Sequence, residues 1–223
     1  MKQSAELKER VLASVRRTPS PVRSATRREV RRVLVVTLGA LVALFFGLDG
    51  MRHAMGRPAW FLVASLSLWG AVALAALRAA WRAGIAFGAG ALTSLGTVIV
   101  GAPAAALVGS LALVQVAPEV AALHPERSGL TCFALVLAAA VCPLAGLTRA
   151  RRSSDPLHPV ASGAALGVAC GACGGAMVDL WCPVAAPSHV LVGHVLPMAA
   201  LALVGAMLGA RVIAMRARPR LSA

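Results

Sequence analysis

The chain has 223 residues, 59% hydrophobic and only 13% charged, with a net charge of +14 and a mean hydropathy of +0.79. A soluble domain carries far more charge, so the composition excludes an ordinary globular fold and implies a polytopic membrane protein. The positive charge does not argue for direct contact with nucleic acid, because the arginines gather in the tails and between apolar runs, where the positive-inside rule puts them.

Residues 1–32 read as a soluble N-terminal tail. Ser4 can cap a short helix with Glu6 in its first turn, and Thr18-Pro19 stops it. Leu7, Val11 and Val15 repeat every four residues with Leu12 beside them, while Lys8, Arg10 and Arg16 lie elsewhere around the cylinder. So short a helix is marginal alone in water. Its apolar stripe therefore waits for a protein partner or rests on anionic membrane lipid. Thr18 to Arg32 reads as a linker held extended by Pro19 and Pro21. No cleavable signal peptide is expected, since the first apolar run starts only at Val33.

Spans are expected over Val33–Gly50, Pro58–Leu77, Gly129–Leu147, Pro159–Leu180 and His189–Ala210. Gly84 to Ala117 would be about 50 Å long as one helix, so either it kinks at Pro103 or it crosses twice. Charge decides between them. With one crossing, residues 1–32, 78–83, 148–158 and 211–220 share one face, and that face holds nearly all the arginines. The expected fold is thus all-α: a bundle of six transmembrane helices (33–213), a short cytoplasmic N-terminal amphipathic helix and a basic C-terminal tail (214–223), both termini cytoplasmic. High Ala, Gly and Arg with little Lys suggests a GC-rich bacterial genome, making the bacterial inner membrane the natural location.

The fifth span steps Gly163, Gly167, Gly171 and Gly175 along one expected face, the pattern that lets membrane helices approach closely. On this topology Cys132 opens the fourth span and Cys182 ends the fifth, both at the outer face. Two thiols at one level in an oxidising compartment could form a disulfide or bind a soft metal ion. His189, His124 and Met55 lie near that level as further ligands, and two unrelated small residues at helix ends is the plainer alternative. Cys170 and Cys173 form a CxxC in mid-membrane without a basic neighbour and read as small-residue packing. Cys142-Pro143 reads as packing at a kink, and His158 as helix entry before Pro159. Asp179 is an acid near the outer end of a span, either functional or simply solvated. No nucleophile–base pair, paired carboxylates, P-loop or dinucleotide motif is present, so no enzyme is expected.

Three segments resemble the NrsF-like family of six-span bacterial membrane anti-sigma factors, negative regulators of extracytoplasmic-function sigma factors. They are SGLTCFALVLAAAVCPLAGL (Ser128 to Leu147), HPVASGAALGVACGACGGAMVDLWCP (His158 to Pro183) and HVLVGHVLPMAALALVGAMLGARVI (His189 to Ile213). The first is similar to the family's small-residue–Cys opening with a later proline. The second is similar to its Gly/Ala-rich span closed by Cys-Pro, and the third to its terminal span ending Leu-Gly-X-Arg. The likeness covers residues 128–213, and the first three spans by hydropathy. The chain departs in placing Trp181 where a His often stands, and in Cys142, Cys170 and Cys173.

The resemblance implies that the tail sequesters a sigma factor at the membrane, which here would use Leu7, Val11, Leu12 and Val15. It also implies that Cys132 and Cys182 sense metal or oxidative stress; His189, from its level at the span ends, is a further candidate ligand for a soft ion. The rival readings are a small transporter or channel, which would need polar residues lining a path, and a thiol-redox protein built on Cys170 and Cys173.

Overall fold

The computed structural model describes residues 23–50, 58–82, 129–152, 158–182 and 186–214, together with Val184 and scattered residues between 96 and 115. Among the described residues the regular structure is helical, with no strand. Among the described residues, five helices are long and apolar enough to cross a membrane. We label them α1 (Arg23–Gly47), α2 (Ala59–Arg82), α3 (Gly129–Ala150), α4 (Pro159–Trp181) and α5 (Pro187–Ile213). They correspond to the expected first, second, fourth, fifth and sixth spans. Between α2 and α3 the described residues, from Gly96 to Gln115, are helical, but whether residues 84–117 cross once or twice lies outside what is described.

The structure corrects the sequence reading at α1. The helix begins at Arg23, ten residues before the apolar run, so 23–32 is not an extended linker. Once the apolar part has nucleated a helix, each added Ala, Arg or Glu costs little and gains a backbone bond. Two residues past the end of α1, Asp49 takes a left-handed conformation (φ 57°) that Asp tolerates better than most residues. Its lipid-type surface is open: Val35, Val36, Leu38, Val42 and Phe46 are all exposed.

α4 is the axis. It packs on α5, α2 and α3, and more lightly on α1. Glycine makes this possible. A Cβ on Gly163 would run into the Gly205 carbonyl, one on Gly167 into the Leu201 carbonyl, and one on Gly209 into the Pro159 carbonyl. The α4 and α5 backbones therefore touch directly, gaining dispersion where lipid offers no hydrophobic drive. The four-residue glycine step does not stay on one face, however. Gly163, Gly167 and Gly171 meet α5, whereas a Cβ on Gly175 would lie 3.3 Å from the Trp69 ring of α2. Each step of four advances about 400°, so three steps rotate the row by about 120°. Gly174 in turn meets Val136 of α3.

Trp69, Val72, Ala73 and Ala76 of α2 pack with Val168, Ala169 and Ala172 of α4. Val136, Ala140, Leu144 and Leu147 of α3 pack with Leu166 and Ile213 on the other side. At the basic end of the bundle the buried Arg151 guanidinium lies 5.6 Å from the Trp81 ring centroid, joining the end of α3 to that of α2 by a cation–π contact. The opposite end carries the site.

Candidate functional site

Where α3 begins, α4 ends and α5 begins, the chain brings four donor side chains together. Cys132 stands in the first turn of α3, Cys182 follows the last residue of α4, and His189 lies in the first turn of α5. His194 follows five residues later. Their ligand atoms all lie within 4.8 Å of one another, and all four residues are buried. His189 Nε2 sits between the two sulfurs, 3.4 Å from Cys132 Sγ and 3.1 Å from Cys182 Sγ.

The local sequence explains the placement. Cys182 adopts an extended backbone, and its N–H closes the last turn of α4 on the Val178 carbonyl at 2.6 Å. Pro187 then starts α5, where its missing N–H costs nothing. α5 is not a plain α-helix here: Leu191–Val195 forms a π-helical turn closed by the Leu196 N–H on the Leu191 carbonyl. In an α-helix, residues five apart point about 140° away from each other. In a π turn, with its i→i+5 bonding, they come close to one face. The wider turn therefore swings His194 toward His189, and the two rings stand edge to face with centroids 5.8 Å apart. Gly193 lets α3 approach, since a Cβ there would lie 2.9 Å from the Cys132 Cβ.

A polar rim supports the cluster. Asp179 on α4 places Oδ1 3.6 Å from His194 Nδ1. Its Oδ2 accepts a hydrogen bond from the Ser65 hydroxyl of α2. One residue before Cys182, the Trp181 indole N–H donates to the Leu48 carbonyl at 2.8 Å, so the end of α4 grips the end of α1. That carbonyl is one a helix terminus leaves without an intrahelical donor. A hydrogen bond from Cys132 holds the Cys182 thiol below its ordinary range; burial opposes the shift, and His194 adds to it.

Cys132, Cys182 and His189, the residues that the sequence places at one level, are thus brought into contact. His194 was not among the expected ligands, and its signal was hidden by helical periodicity. Asp179 faces Ser65 and His194 rather than standing as a purely solvated acid. Cys170 is buried in the core with Val136 and Leu166, and Cys173 packs against the cluster around Trp69 and Val72 of α2, as small residues of a helix interface do. Cys142 is exposed, and it is the adjacent Pro143 that is buried, so the packing expected at this kink is carried by the proline rather than the thiol. His158 precedes α4 and accepts the Ser162 N–H on its carbonyl at 2.9 Å, which fits helix entry. His124, Met55 and the tail residues Leu7, Val11, Leu12 and Val15 lie outside the described residues.

Two sulfurs and two imidazoles converging in a buried pocket can hold a thiophilic ion, and the two sulfurs can be oxidised to a disulfide. A comparison with protein families matches residues 14–214 to the model described as NrsF, negative regulator of sigma F. No curated protein and no solved structure matches the chain.

Proposed function

Because the chain belongs to the NrsF family, negative regulators of sigma F, we propose that it is an inner-membrane anti-sigma factor that holds an extracytoplasmic-function sigma factor on its cytoplasmic N-terminal tail and releases it on an envelope signal. The tail contact is the apolar stripe Leu7, Val11, Leu12 and Val15, flanked by basic residues. Cys132, Cys182 and His189 receive the signal at the outer face. One observation carries this reading: two cysteines 50 positions apart in sequence meet on a single imidazole nitrogen at 3.4 and 3.1 Å.

Two signals suit that arrangement. A soft cation would displace the thiol protons and draw both sulfurs and the imidazole onto itself. Alternatively, a peroxide would take two electrons and two protons from the thiols, leaving a disulfide and water. Either event repacks the ends of α3, α4 and α5. Trp181, adjacent to Cys182, is bonded to the end of α1, the helix that continues from the tail. The route from site to tail in this account runs along that contact.

The test is a sigma-dependent reporter in cells challenged with cadmium or peroxide. Replacing Cys132→Ser together with Cys182→Ser should abolish induction while basal repression persists. Unchanged induction in that double variant would refute the sensing half of the reading.

A further inference from the structure

We infer that the pocket is a closed tetrahedral site for one divalent d10 cation of the Zn2+ and Cd2+ kind. Cys132, Cys182, His189 and His194 are its ligands, and Asp179 is the residue that positions His194. This rests on reading Cys132 and Cys182 as the sensing pair, and it gives that pair its ligand.

The geometry comes first. Bonds of about 2.3 Å to sulfur and 2.0–2.1 Å to nitrogen make a tetrahedron whose edges are about 3.3–3.8 Å. The two measured S···N separations are 3.1 and 3.4 Å, and no pair of the four donor atoms exceeds 4.8 Å. Shifts of a few tenths of an ångström to about one ångström would close the set on an ion, without any change of fold.

His194 is the second, independent observation. Its side chain is 1% exposed, and among the described residues neither ring nitrogen meets a partner at good hydrogen-bond geometry, the Asp179 carboxylate standing off at 3.6 Å. A buried polar group left in that condition costs on the order of 1–3 kcal/mol. A metal ion removes the cost. With Nδ1 facing the Asp179 carboxylate, Nε2 is the nitrogen left for the ion, and carboxylate, histidine and metal then form the usual outer-shell arrangement. Ser65 in turn holds the other carboxylate oxygen, which fixes Asp179 from α2.

Charge selects the class of ion. A hard cation would need oxygen ligands, and the four donors are sulfur and nitrogen. Both sulfurs bind as thiolates, so M2+ with two thiolates and two neutral imidazoles has no net charge, which suits a buried pocket. A monovalent ion on the same ligands would leave a buried negative charge beside the Asp179 carboxylate.

The test uses the purified full-length protein in detergent micelles, with Co2+ as the spectroscopic stand-in for Zn2+. The expected result is one Co2+ per chain with the intense visible bands of tetrahedral S2N2 coordination, bleached by Zn2+ or Cd2+. Asp179→Asn, which removes no ligand, should weaken binding by about 10- to 100-fold, and His194→Gln should change the spectrum. A wild-type spectrum that is octahedral or absent overturns the inference, whatever the variants do. So does wild-type affinity and spectrum in both variants. The cell reporter separates this from the reading beneath it. Cysteine-dependent induction without Co2+ binding would remove the metal site and leave disulfide sensing. A tetrahedral spectrum without cysteine-dependent induction would leave the site and remove its signalling role.

Discussion

Replacing Gly193→Ala tests the site without touching a ligand. The added Cβ would lie 2.9 Å from the Cys132 Cβ, 3.1 Å from the Gly129 carbonyl oxygen and 3.4 Å from the Gly129 Cα. None of these is the end of a flexible side chain, so no rotamer change relieves the crowding. Ordinary carbon–carbon contact is about 3.5–4.0 Å, so α3 and α5 must part by about 0.6–1.1 Å along that line. Metal–ligand distances tolerate about 0.2 Å, several-fold less. Closing the site then means restoring the overpacked contact, which costs about 1–3 kcal/mol. At 1.4 kcal/mol per factor of ten, affinity should fall about 5- to 150-fold. The assay is the Co2+ titration on purified protein. Gly70→Ala serves as control, because nothing lies within 4 Å of a Cβ at that position. Wild-type affinity in a folded Gly193→Ala protein would refute the claim that the close approach of α3 and α5 assembles the site.

Other consequences can be checked separately. Gly167→Ala should destabilise the bundle by about 1–3 kcal/mol through its clash with the Leu201 backbone. Gly70→Ala should be neutral or stabilising by up to about 1 kcal/mol. Unfolding in a denaturing detergent series would show this opposition in sign, and equal stabilities would contradict the described α4–α5 contact. Trp181→Phe keeps the ring but removes the donor to the Leu48 carbonyl, a loss of about 1 kcal/mol. Faster hydrogen exchange at the end of α1 is expected, with no change in Co2+ affinity. Because both sulfurs bind as thiolates and both imidazoles bind neutral, ion affinity should fall as pH is lowered, with protons released on binding. A pH-independent affinity between mildly acidic and neutral solution would argue against the cysteine ligands.

The helical scaffold was legible because long apolar runs leave few choices: five of the six that the sequence marks are α1 to α5, each long and apolar enough to cross a membrane. The level of Cys132, Cys182 and His189 followed from span ends and charge alone. His194 did not, since it sits five residues after His189 and only the π turn rotates it into the pocket. The partner of Asp179 was equally hidden, because Ser65 is 114 positions away and only the packing of α2 on α4 joins them. The early start of α1 was missed because the prolines of the tail were read as governing residues that the helix itself had already claimed. The rotation of the glycine row from α5 to α2 follows from 3.6 residues per turn, and shows α4 to be enclosed rather than paired.

The measurement that bears most directly on the account is the amount of sigma factor that co-purifies with the full-length protein, before and after Cd2+ is added. Wild type should hold a sigma factor and lose it on Cd2+. The Cys132→Ser, Cys182→Ser protein should hold it throughout, and the Leu7→Glu, Val11→Glu protein should never hold it. Absence of any sigma factor from the wild type, or equal release from the cysteine double variant, would contradict it.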